Sequence, residues 1–110
     1  MIFVFGSNLA GRHGKGSALC AKQKWGAKYG VGVGPTGRAY AIPTKDRNLN
    51  VLPLKAIKRH VDDFIIYAHQ HPEEEFQIVK IGCGLAGYKE QDIAPMFIGA
   101  PINCHLPKGW

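Results

Sequence analysis

The chain opens on four consecutive apolar residues, Ile2-Phe3-Val4-Phe5, that stop at Gly6. A short unbroken apolar run bounded by glycine predicts a buried strand. The next segment, 6–16, is polar and dense in glycine. It gives way to Ser17-Ala18-Leu19-Cys20-Ala21-Lys22-Gln23-Lys24-Trp25, rich in helix formers and ended by Gly26, which predicts a helix beginning near Gly14 to Gly16. Gly26, Gly30, Gly32, Gly34, Pro35 and Gly37 then crowd one segment, so 26–38 is expected to be a long loop. Ala39-Tyr40-Ala41-Ile42-Pro43 reads as a second strand, followed by a polar connection from Thr44 to Pro53. From Leu54 the apolar residues Leu54, Ile57, Val61, Phe64, Ile65 and Ala68 keep helical spacing until His71-Pro72 stops them. Pro53 stands at that helix's start, where its fixed φ is tolerated. After Glu73-Glu74-Glu75, the segment Phe76-Gln77-Ile78-Val79-Lys80-Ile81 alternates and predicts a strand, which breaks into a second glycine loop, 82–88. A short helix over Asp92 to Ile98, capped by Asp92 with Pro95 in its first turn, and a last strand from Pro101 to Leu106 complete the pattern.

Strands alternating with helices predict an α/β layered sheet, in which ligands bind where strand-end loops converge. Both glycine loops follow strands. The length of 110 residues fits one domain, 1–110, and the 45% apolar and 20% charged content is that of a folding chain. No apolar run approaches the roughly 20 residues that span a bilayer, and the first residues have no basic n-region or cleavage site. A cytoplasmic address and no membrane partner are therefore expected. Cys20, Cys83 and Cys104 are too widely spaced for a metal knuckle and cannot all pair within the chain, so reduced thiols and no metal are expected.

The net charge of +6 conceals an asymmetry: residues 1–60 carry eleven Lys and Arg against one acid, Asp46, whereas 61–110 carry three against seven. A local positive field suits phosphorylated ligands or nucleic acid; solubility alone would also account for such counts. In the first glycine loop, Gly6-Ser7-Asn8-Leu9-Ala10-Gly11-Arg12-His13-Gly14-Lys15-Gly16-Ser17, backbone N–H groups can approach a phosphate at a helix N-terminus, with Arg12 and Lys15 as nearby cations. Gly16 follows Lys15 where a Walker A loop needs Ser or Thr, so that motif is excluded. A tight structural turn is the alternative.

The second loop carries a resemblance. Ile81-Gly82-Cys83-Gly84-Leu85 is similar to the second phosphate loop of macro domains, in the branch with the terminal ADP-ribose-glutamate hydrolases and the yeast-type ADP-ribose-1''-phosphate phosphatases. Tyr40-Ala41-Ile42-Pro43-Thr44-Lys45 resembles that branch's strand ending in Thr-Lys. Asn8 and Gly14-Lys15-Gly16-Ser17-Ala18 resemble its Asn and Gly-x-Gly-x-Ala segment. A compact group of phage and bacterial proteins opens with a segment similar to Phe5-Gly6-Ser7-Asn8-Leu9-Ala10-Gly11. The resemblance runs in order from about Val4 to Pro107.

It implies a minimal macro-domain-like α/β/α fold of three layers around a mixed sheet, with ADP-ribose in a cleft and its diphosphate between the two glycine loops. No cofactor is implied. The ligand-binding residues would be Gly6, Ser7, Asn8, Gly14, Lys15, Gly16 and Ser17 from the first loop. Gly82, Cys83, Gly84, Leu85, Ala86, Gly87 and Tyr88 would serve from the second. Asn8 would face the distal ribose, and Lys45 falls where the glutamate hydrolases place the lysine that attacks the anomeric carbon, a task that needs a depressed amine pKa. Those hydrolases carry an aspartate where this chain has Ala86, which removes their proton-transfer partner. They also carry an acidic residue for adenine ahead of the first strand, so ribose phosphates without adenine stand beside ADP-ribose as expected ligands.

Other candidates are weighed on their residues. His13 lies in the ligand-facing loop as a general base or as a donor to phosphate. Tyr88 closes the second loop, either covering a ligand or packing in the core. Cys83 among glycines reads as a small packed residue, and His69-Gln70-His71 as a helix cap. Cys104 and His105 alternate across a strand and do not form a joint metal site. The chain is thus expected to bind, and as an enzyme to hydrolyse, an ADP-ribose derivative, with Asn8, His13 and Lys45 as catalytic candidates. Two other classes remain: a nucleic-acid-binding module using the basic half, and a structural protein with a vestigial site.

Overall fold

The strand predicted from the opening apolar run lies at the centre of a five-stranded sheet. In a computed structural model describing all of Met1–Trp110, the elements run β1 (Ile2–Asn8), α1 (Gly16–Lys24), β2 (Gly34–Thr36), β3 (Ala39–Lys45), α2 (Leu54–Gln70), β4 (Phe76–Ile78), α3 (Glu90–Ile93) with a 3-10 turn (Ala94–Phe97), and β5 (Cys104–His105). The sheet order is β2-β3-β1-β4-β5. β1 is parallel to β3 and β4, β4 is parallel to β5, and only β2 runs antiparallel, so the sheet is mixed. No helix is long and apolar enough to cross a membrane.

Side-chain alternation along β1 and β3 feeds two apolar layers. Val4, Tyr40 and Ile42 face α2 and meet Ile57, Val61, Phe64 and Ala68; Phe76, Ile93, Met96 and Phe97 close the same cluster. Phe3, Phe5, Ala39 and Ala41 face the other way and meet Ala18 and Ala21 of α1, beside Ala27. Trp25, just past α1, stacks on Phe3 with ring centroids 5.2 Å apart and planes 4° apart. The sheet therefore lies between α1 and the pair α2 and α3. All strands but β2 end on the same side, and that side carries the loops after β1, β3 and β4.

Several boundaries differ from the sequence expectation. β1 continues past Gly6 to Asn8, because Gly6, Ser7 and Asn8 pair with Ile42, Pro43 and Lys45 of β3. The glycine-rich stretch contains a strand, β2, whose Pro35 is tolerated because this edge strand has no neighbour beyond it. The strand expected over 76–81 ends at Ile78, and the last strand shrinks to Cys104–His105. The C-terminal helix begins at Glu90, with Asp92 inside it: the Asp92 carboxylate accepts the N–H of Lys89 at 3.3 Å. Pro95 opens the 3-10 turn instead.

Candidate functional site

A cleft of about 960 Å³ opens at the carboxyl ends of β1, β3 and β4. This is where an α/β sheet of such connectivity gathers its loops. Its lining includes Gly6, Ser7, Asn8, Gly14, Lys15, Gly16 and Ser17 from the first loop and Gly82, Cys83, Gly84, Leu85 and Ala86 from the second, with Lys45 between them. Gly87, Tyr88 and His13 do not line it.

The floor is set by a register shift. Between Ser7 and Asn8 the pairing of β1 with β3 skips Thr44, so Asn8 lies opposite Lys45 at the carboxyl ends of the two strands. The skipped Thr44 is buried and donates its hydroxyl to the Ser7 carbonyl at 3.3 Å. Ser7 in turn donates to the carbonyl of Gly32. Asn8 has both ends of its carboxamide engaged: Nδ2 donates to the Arg12 carbonyl at 2.8 Å, and Oδ1 accepts the Arg12 N–H at 3.0 Å. These bonds close the turn that carries Arg12 to the cleft. Gly11 has φ +70°, and a side chain there would collide with the backbone of Gly30, so the first loop and the 26–33 segment pack as one wall.

Opposite that wall, the second loop presents its own backbone. The N–H groups of Gly84, Leu85 and Ala86 find no acceptor within the chain, and neither do those of Gly16, Ser17 and Ala18 in the first turn of α1. Lys15 precedes α1 in extended conformation and no side chain caps the helix. Leu85 reaches across to Gly16, so the two amide groups face one space. Gly14 and Gly84 both border that space, adopt no left-handed φ, and would meet nothing within 4 Å if a Cβ were added. Neither conformation nor packing asks for glycine at either place.

The charges follow the amides. Arg12, Lys15, Lys45 and Lys80 line the cleft against one carboxylate, Glu90. Glu90 accepts from Trp110 Nε1 at 2.8 Å and from Lys80 Nζ at 3.2 Å, and these bonds, Trp110 first, lower its pKa and keep it ionised. Arg12, Lys15 and Lys45 make no ion pair. The thiol of Cys83 is pushed up by burial and by Glu90, so it stays protonated, and its Sγ lies 3.5 Å from the Ile81 carbonyl. Elsewhere in the fold, no three His, Cys, Asp or Glu side chains gather where a metal could bind.

Three sequence-derived assignments change. His13 is fully buried, its Nε2 3.0 Å from the Val31 carbonyl and its ring edge-on to Phe5 and Tyr29. A carbonyl only accepts, so Nε2 carries the proton; Nδ1 has no partner, and burial lowers the pKa. It cannot reach a ligand as general base. Tyr88 packs against the main core and donates its hydroxyl to the Leu52 carbonyl at 2.6 Å, which ties the second loop to the start of α2 and takes its ring out of the cleft. Gly87, at φ +82°, turns the chain behind the loop.

Sequence reasoning in turn missed Tyr29, Thr44, Leu49, Lys80 and Glu90 as lining residues. Glu90 had one available signal, being the first acid after the second glycine loop.

Neither the protein-family models nor the curated proteins yield a match to this chain. Among solved structures, a protein of unknown function from Bacteroides thetaiotaomicron is similar at 16% identity, with a TM-score of 0.63 over 96% of this chain and 88% of that one. A second crystal structure from the same organism is similar at 17% identity, with the same TM-score and coverage. These likenesses extend to the α/β fold alone.

Proposed function

We propose that the cleft binds ADP-ribose or a closely related ribose phosphate, and that the chain is a minimal form of the macro-domain fold. The observation that carries this reading is the pair Gly14 and Gly84. Each glycine is free of conformational and steric need, and each borders amides that lack acceptors. A glycine so placed lets a ligand approach the backbone within hydrogen-bond distance. The diphosphate accepts from the amides of 84–86 on one side and 16–18 on the other, where the helix N-terminus adds a favourable field. Arg12, Lys15 and Lys45 supply the balancing charge, and the ribose lies toward Asn8.

The role is binding rather than hydrolysis. The carboxylate that serves the glutamate hydrolases as acid and base has no counterpart at Ala86, and the cleft's one carboxylate, Glu90, is engaged by Trp110 and Lys80. Asn8 positions the first loop instead of touching substrate, since both ends of its side chain are bonded to Arg12. Lys45 serves as a cation.

Calorimetric titration with ADP-ribose tests this. The chain should bind, and Gly84→Val should weaken binding at least about tenfold, a loss of about 1.4 kcal/mol. The melting temperature should stay unchanged, because the new side chain enters open space. Equal affinity in the variant, or no heat with the unaltered protein, would sink the placement.

A further inference from the structure

Leu49 is the one residue other than glycine with a left-handed backbone, at φ +65°. It sits in the loop after β3, whose geometry explains the angle. Asp46 N–H donates to the Asn50 carbonyl at 2.8 Å, Leu49 N–H donates to the Asp46 carbonyl at 3.1 Å, and Lys45 bridges Val51. This is a three-residue hairpin connection whose last turn position must be left-handed, a place that glycine or asparagine fills without strain. Asp46 locks the turn further by accepting the N–H groups of Asn48 and Asn50 at 2.9 Å each. Asparagines stand on both sides of the strained position, yet leucine occupies it.

The leucine is unfavourable twice over. Its backbone is strained, and the residue is 40% exposed on the wall of the cleft. Strain held by an over-determined turn beside a cavity points to use of that side chain by a ligand. Tyr29 and Leu85 are further exposed side chains with apolar surface in the same lining. The cleft thus combines cations and free backbone amides with exposed apolar side chains.

We infer that Leu49 is a specificity-determining residue, an apolar jaw that packs on a flat uncharged ring of the ligand, such as a nucleobase. The ligand class is then a ribose phosphate that carries a base, in preference to a bare sugar phosphate. The inference rests on the proposed binding of ribose phosphates in this cleft and assigns their second half.

The test compares ADP-ribose with ribose 5-phosphate by calorimetry, using the unaltered protein, Leu49→Ala and Leu49→Asn. Leu49→Ala keeps the strained backbone and removes the side chain; it should weaken ADP-ribose about tenfold and leave ribose 5-phosphate within about twofold. Leu49→Asn should weaken ADP-ribose similarly while raising the melting temperature by about 2–5 °C, since asparagine tolerates the left-handed backbone. A uniform loss for both ligands, or no loss for ADP-ribose, would overturn the assignment of Leu49 while the binding proposal stands. A lower melting temperature in Leu49→Asn would overturn the argument from strain. If the unaltered protein binds neither compound, the proposed function falls and takes this inference with it.

Discussion

A neutral imidazole suits the place His13 occupies. Protonation would put a hydrogen on Nδ1, which is buried without an acceptor, and the ring would become a cation among Phe5 and Tyr29. His60 also has a pKa lowered from 6.5 by burial, although Asp63 opposes the shift. A group whose folded pKa is depressed leaves the unfolded chain holding more protons below 6.5, so stability is full above that value and declines as pH falls through it. The urea midpoint is therefore expected to drop between about pH 7.5 and pH 5.5, and His13→Gln and His60→Gln should each remove part of the slope. An unchanged slope in the double variant would refute the assignment. The sequence placed His13 in the right loop but not on the right side of it. A loop residue's orientation depends on which segment packs behind it, here 26–33, and local pattern does not contain that.

At the scale of elements, α2 was readable because its apolar period is complete, from Ile57 through Val61 and Phe64 to Ala68, all fully buried. The end of α2 was readable too, but what ties it to the rest of the fold was not. His71-Pro72 marks where it stops, and the turn beyond is tied from 29 to 35 residues away: Asn103 Nδ2 shares its two hydrogens among the carbonyls of Ala68 at 3.2 Å and of His71 and Glu74 at 3.0 Å each. Asn103→Ala leaves the Glu74 carbonyl without a donor, while those of Ala68 and His71 keep the N–H groups of His71 and Glu74, and should cost about 1 kcal/mol in denaturant unfolding. Asn103→Asp should cost more, because a carboxylate would face three carbonyl oxygens. A loss below about 0.5 kcal/mol for Asn103→Ala would show that water replaces the amide fully. β2 was missed for a related reason: Gly34-Pro35-Thr36 has no strand propensity and becomes a strand only because β3 offers it an edge. The glycine loops fared better, since glycine density directly after a strand is a local signal. Leu49 and Tyr29 reach the cleft from two separate loops and Glu90 from the start of α3, and only the folded sheet brings them together.

For the molecule as a whole, the two apolar layers are unequal. The layer between the sheet and α2 is built mainly of phenylalanine, isoleucine and valine, whereas five of the seven buried residues in the layer that includes α1's own Ala18 and Ala21 are alanine. Alanine buries far less area than these side chains, so α1 is held by a smaller share of the transfer free energy, with Trp25 stacked on Phe3 as its main anchor. Yet α1 contributes half of the proposed phosphate cradle. An element so lightly held should open locally without global unfolding, and its backbone amides should exchange with solvent deuterium at a correspondingly low free energy. A ligand that binds only the closed arrangement must first suppress that opening, so binding should slow exchange along 19–24 more than along α2. Measured by mass spectrometry with and without ADP-ribose, equal slowing in both helices would mean that α1 is no softer than the rest. Unequal slowing would mean that part of the affinity is set by a row of alanines buried beneath α1, and that enlarging one of them could tighten binding without touching the ligand.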